Sequence, residues 1–171
     1  MRTIVLQVEP CEVALLVGFQ PATGQETESL LKRAATAPKG LALDALRSTL
    51  TAYALAPLSL SLDGKLLAPA SVQAKVGSEP GGTRPIVVLL VTYSLPSGGE
   101  VQLASREGKS TRISWQDRES GRVAISAAPA QGKWHNGVAS FLLEVSGPTG
   151  VSTCNPPRLP PSPSPSRSAR R

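Results

Sequence analysis

Ile4, Leu6 and Val8 alternate with Val5 and Gln7, and this two-residue apolar period returns along most of the chain. Each run is cut off by proline or glycine within about ten residues. Strand side chains alternate between two faces, so such runs read as short strands with one buried side, and the close spacing of the breaks argues against long helices. Composition points the same way. The 171 residues hold 16 prolines and 15 glycines, with 4% aromatic and 18% charged residues. A coiled coil would be rich in Glu, Lys and Leu, and a wholly disordered chain would lack ordered apolar runs.

After Glu9-Pro10, Val13, Leu15, Val17 and Phe19 take one face of a second strand, which Pro21 and Gly24 end. A pair of helices is then predicted within residues 26–54. The first covers 26–37, with Glu26 and Glu28 in its first turn and Lys32 and Arg33 further along, as the helix dipole favours. Pro38-Lys39-Gly40 stops it. The second, over about 41–54, carries Leu43, Leu46, Leu50 and Tyr53 as one apolar stripe. Pro57 closes that helix, and Leu58, Leu60 and Leu62 restore period two. Asp63-Gly64 is a tight-turn signal, with a short return strand over 65–67. Val72, Ala74 and Val76 form another strand. Residues 86–95 are apolar on both faces and read as a central or sandwiched strand. Short strands over 100–104, 111–115, 122–126 and 138–145 complete the set.

The expected fold is mainly β, an antiparallel sandwich or partly open barrel with the helical pair inserted between strands two and three. Residues 1–147 make up this domain. Residues 148–171 read as a disordered Pro/Ser/Arg tail. Six of the eleven residues from 155 to 165 are proline, and no compact core can form there.

The net charge of +6 belongs largely to that tail, where Arg158, Arg167, Arg170 and Arg171 occur without an acid. The first 150 residues carry 14 basic and 12 acidic residues, a net of +2. A nearly neutral body and a sparse basic tail do not predict specific nucleic-acid binding. The apolar run before Glu9 is too short for a secretory signal, and the densest one, Ile86 to Val91, is far too short to span a membrane. A strand-like start at Thr3 fits a chain whose longer natural product carries an upstream signal. Cys11 and Cys154 lack metal-ligand spacing. They pair in an oxidising compartment or remain free thiols, and the absence of packing signals around Cys154 favours the thiols.

Little in the chain has the composition of a catalytic centre. His135, the single histidine, lies in Lys133-Trp134-His135-Asn136-Gly137 and reads as a polar loop residue, with a base or ligand role as the alternative. Trp115 follows Ile113 in strand phase and reads as core. Trp134 is the better surface aromatic, and with His135 and Asn136 it forms the candidate binding site, a platform for a sugar or peptide. Asp63-Gly64-Lys65 lacks the alternating oxygens of a calcium loop. The Ser94–Gly99 run lacks the lysine of a phosphate loop, and no serine sits in a nucleophile elbow. No metal and no cofactor are expected. Arg106, Lys109, Arg112, Arg118 and Arg122 make a basic stretch that Glu107, Asp117 and Glu119 nearly cancel, the pattern of a solvated edge.

The order of elements resembles a known class. Glu12-Val13-Ala14-Leu15-Leu16-Val17-Gly18-Phe19 precedes a Leu/Ala-rich helical stretch, then Leu58-Ser59-Leu60-Ser61-Leu62-Asp63-Gly64-Lys65-Leu66-Leu67, a long apolar strand and a β-rich remainder. Over residues 3–145 this resembles the extracytoplasmic β-rich domain that precedes the membrane helices in bacterial HupE/UreJ-like proteins. The resemblance implies an exported domain of a membrane-associated protein. It supplies no catalytic residue. Where relatives carry an acidic loop between the helices, this chain has Ala37-Pro38-Lys39-Gly40, so cation binding there is not expected.

The expected function is therefore a non-catalytic accessory or protein-binding module that meets a partner through a sheet edge. The alternatives are a free-standing carbohydrate- or peptide-binding module using Trp134, and a small hydrolase around His135. The oligomeric state is not legible in the chain.

Overall fold

In the computed structural model, the described residues are 1–9, 11–22, 40–78, 84–117 and 130–145, with positions 24, 28, 29, 32, 36, 38, 81, 125 and 126. They form two packed sheets. The first has the order β10-β8-β1-β2-β6-β5, and the second β4-β3-β7-β11-β9. The strands are β1 (Arg2–Glu9), β2 (Glu12–Phe19), β3 (Leu58–Leu62), β4 (Lys65–Leu66), β5 (Ser71–Ser78), β6 (Pro85–Ser94), β7 (Gly99–Ser105), β8 (Thr111–Asp117), β9 (Ile125–Ser126), β10 (His135–Asn136) and β11 (Ser140–Val145). The helix α1 (Ala42–Leu55) lies between β2 and β3. The architecture is a mainly β sandwich and not a closed barrel.

The two-residue period decides the core. Ile4 pairs with Val17 and Ile113, Leu6 with Leu15 and Trp115, and Leu15 with Val91, so one face of the first sheet is a continuous apolar layer. Leu60 and Phe141 both pair with Leu103, and Leu143 pairs with Val101, which builds the facing layer. All of these side chains are buried in one cluster. Burying each such aliphatic side chain contributes about 1.5–3 kcal/mol. Trp115 lies in this core as its strand phase requires.

Several elements depart from the expected pattern. β1 and β8 run parallel, the only parallel pair among the described strands. From β6 onward the chain crosses to the other sheet at every connection, so β8 arrives beside β1 by a crossover and not by a hairpin. β6 is an inner strand of its sheet but is not covered on both faces: Val88 remains 44% exposed on the outer side. The first helix of the expected pair lies largely outside the described residues, although Glu28, Ser29 and Lys32 are helical. In α1 the buried row is Leu50 and Ala54, with Leu46 packed against the core. Leu43 shares that side but stands nearly two turns before Leu50, at the start of the helix, and is 58% exposed. The segment 122–126 is described only at β9, and the tail from 146 lies outside the described residues.

Cys11 is disulfide-bonded, against the free-thiol reading, and Cys154 is the only other cysteine in the chain. Cys11 turns the β1–β2 hairpin with φ of 67°, and its carbonyl accepts the Leu95 N–H at 2.8 Å. Asp63 and Gly64, with φ of 47° and 75°, make the β3–β4 turn in the left-handed region that such hairpins need. The Asp63 carboxylate also accepts the Glu100 N–H at 2.8 Å, tying this turn to β7.

The crossover from β7 to β8 is the connection that places the candidate site. Thr111 Oγ1 lies 3.0 Å from Ser105 Oγ and donates to the Glu107 carbonyl at 2.9 Å, so both buried hydroxyls are satisfied. Between them runs a short 3-10 turn, Gly108–Ser110. A Cβ on Gly108 would lie 2.9 Å from the Ala139 backbone, closer than packing allows. Gly108→Ala is expected to destabilise the chain by about 1–3 kcal/mol, because the obstacle is backbone and not a side chain that can swing away. Urea denaturation checks this, and an unchanged midpoint would show that the crossover can shift.

Candidate ligand-binding site

Strand phase divides the three candidate residues between two faces. In β10, His135 pairs with Ile113 and Asn136 with Arg112. Ile113 points into the sandwich, so His135 points inward too, and its ring stands 5.6 Å from that of buried Phe141 at 57°. Its Nε2 is buried without a hydrogen-bond partner. His135 is thus a half-buried bridge residue and not a polar loop histidine. The Asn-Gly pair after it reads as a turn, and the two-residue ladder onto β8 was not visible in the sequence because so short a strand has no period of its own.

Trp134 and Asn136 remain on the outer side with Arg112. The Arg112 guanidinium carbon lies 4.7 Å from the centroid of the Trp134 ring, and its Nε donates to Thr3 Oγ1 at 3.0 Å. Trp134 is nevertheless 44% exposed. The cation–π contact and the Thr3 hydrogen bond hold ring and guanidinium together, so the exposed aromatic surface is ordered. Arg112, which contacts Trp134, also lines a cleft of about 320 Å³ together with Met1, Lys109, Ser110, Asn136 and Gly137 among others. The Gly137 N–H donates to the Thr111 carbonyl at 3.0 Å and closes the end of the β10–β8 ladder there.

Two residues of this site, Arg112 and Lys109, were assigned in the sequence to a self-cancelling edge. Glu107 does not supply that cancellation for them. Glu107 is paired with Arg2, and no described carboxylate is paired with Lys109 or Arg112. The signal was present for Arg112: alternation over 111–115 sets it opposite in phase to Ile113 and Trp115. No local pattern shows that Glu107 is engaged elsewhere.

A larger cavity, about 500 Å³, lies at the C-terminal end of α1 between Tyr53, Pro57, Arg106 and Glu107. Its charged groups are engaged within the protein: Arg106 donates to the Ala56 carbonyl, and Glu107 accepts from Arg2. Tyr93, whose hydroxyl burial pushes above its ordinary pKa, belongs to the core cluster. Among the described residues no group of His, Cys, Asp and Glu has the arrangement of a metal site. No helix among them is long and apolar enough to cross a membrane.

Compared with known proteins, the chain matches no family model, no curated protein and no solved structure.

Proposed function

We propose that this chain is a non-catalytic, β-rich accessory module that acts by binding, with the outer-face patch of Trp134, Arg112 and Asn136 as its ligand surface. The exposure of Trp134 carries this reading. A large aromatic ring held in place by Arg112, a residue that itself lines a cleft, provides contact area at little cost in side-chain entropy. Sugars and short peptides are the ligand classes that such a ring serves. The inward ring of His135 supports packing and lends nothing to a hydrolase reading. The Cys11 disulfide supports the extracytoplasmic placement that the HupE/UreJ-like resemblance implies, because disulfides persist mainly in oxidising compartments.

A second reading, contact with a protein partner, is favoured by β5. It is the outermost strand of the first sheet, eight residues long, with Lys75 as its single charge and no proline. An edge of this length can accept an added strand by backbone hydrogen bonding.

One experiment separates the two. Oligosaccharides and a displayed peptide library are screened against the full chain, and hydrogen exchange is followed in the complexes obtained. Protection at residues 133–137, with affinity lost by about tenfold or more in Trp134→Ala, is the expected result. Protection confined to Ser71–Ser78, with Trp134→Ala binding normally, would replace the first reading by the second.

A further inference from the structure

Arg112 and Lys109 line one cleft, and no described carboxylate is paired with either. Glu107, two residues before Lys109, is bound to the buried Arg2. Asp117 is five residues along β8 from Arg112, about 17 Å at the rise of a strand. That exceeds the screening length of roughly 8 Å at physiological ionic strength. Arg112 is also pre-oriented: Nε is used on Thr3 and the guanidinium lies over Trp134, while its two terminal nitrogens have no described hydrogen-bond partner. Such a fork recognises an oxyanion with two donors at once. Ser110 and Asn136 line the same cleft and add neutral hydrogen-bonding groups of the kind that hydroxyls need.

We infer that this cleft takes the carboxylate of an acidic sugar, with Arg112 and Lys109 on the charge and the exposed part of Trp134 against the pyranose ring. The inference rests on the Trp134 reading and specifies its ligand class. The cleft volume lies near the lower end of the range for small-molecule sites, which suits one charged ring with the remainder of an oligosaccharide running over the surface. An acidic peptide would satisfy the cations, but a sugar ring also uses the flat aromatic surface beside them. Affinity should fall steeply with added salt, as expected when a charged ligand meets partly exposed cations.

The test uses the full, oxidised chain and follows tryptophan fluorescence, with Trp134→Phe to isolate the contribution of Trp134 from that of buried Trp115. The probes are oligogalacturonate, its methyl ester, sodium sulfate and a short polyglutamate peptide. Oligogalacturonate is expected to change the Trp134 signal and to bind about tenfold or more tightly than the ester. Arg112→Gln and Lys109→Gln should each weaken it by a similar factor while melting at the wild-type temperature. Lys109→Gln leaves the stack on Trp134 in place, so it decides the matter if Arg112→Gln disturbs the ring. Equal binding of the ester would overturn the acidic-sugar assignment and leave the Trp134 platform standing. No change at Trp134 with either sugar would remove both. Sulfate or polyglutamate binding as tightly as oligogalacturonate would overturn the sugar assignment in favour of a free anion or an acidic peptide.

Discussion

Replacing Cys11 with serine lowers the melting temperature by roughly 10 °C or more, and reducing the wild-type chain with dithiothreitol produces the same shift. The bond anchors the β1–β2 hairpin at Cys11. In the chain-entropy account a disulfide removes about 2–4 kcal/mol of freedom from the unfolded chain, more for a longer loop. The effect acts on the unfolded state, so it appears in equilibrium denaturation and is absent once both samples are reduced. Calorimetry of four samples, wild type and Cys11→Ser with and without reductant, checks it. Identical melting of oxidised and reduced wild type would show that the cross-link contributes nothing.

Arg2→Met is expected to cost about 3 kcal/mol, while Glu107→Gln costs less than about 1 kcal/mol. Arg2 occupies the core-facing phase of β1 and is 3% exposed, yet it stands at the C-terminal end of α1. Its Nε donates to the Ala54 carbonyl at 3.0 Å and one Nη to the Tyr53 carbonyl at 2.6 Å; the other Nη meets Glu107, and the guanidinium lies 4.7 Å from the Phe19 ring centroid. The last carbonyls of a helix have no partner within it and carry its negative dipole end. α1 has no basic residue in its own last turn, so Arg2 supplies that charge from another element. Methionine fills much of the space and leaves those carbonyls buried and unpaired. Glu107 is 56% exposed, so water replaces most of what it gives. Urea denaturation of the two variants distinguishes a capping role from a salt bridge: equal losses would mean that the ion pair, and not the cap, carries the stability.

The helix and the site show how far local patterns reach. Leu46 and Leu50 were legible because a helical period repeats within a few residues. Leu43 and Tyr53 were placed on the same stripe, but their exposure depends on where the helix meets the sheets, which no period encodes. Trp134, His135 and Asn136 were singled out by residue type alone. Their division between two faces follows from the register of β10 on β8, a contact between segments more than twenty residues apart. The basic stretch holding Arg112 and Lys109 reads as nearly cancelled by Glu107, Asp117 and Glu119, and the fold gives Glu107 to Arg2.

Strand positions, the Asp63-Gly64 turn and the mainly β class were determined by the sequence itself, because side-chain alternation and turn chemistry are local properties of the backbone. Tertiary structure alone decided the parallel β1–β8 pair, the disulfide state of Cys11, the capping of α1 by Arg2, the placing of Arg112 over Trp134 and its sharing of a cleft with Lys109. Each of these depends on which distant groups meet, and a charge or a thiol carries no mark along the chain of the partner that will satisfy it.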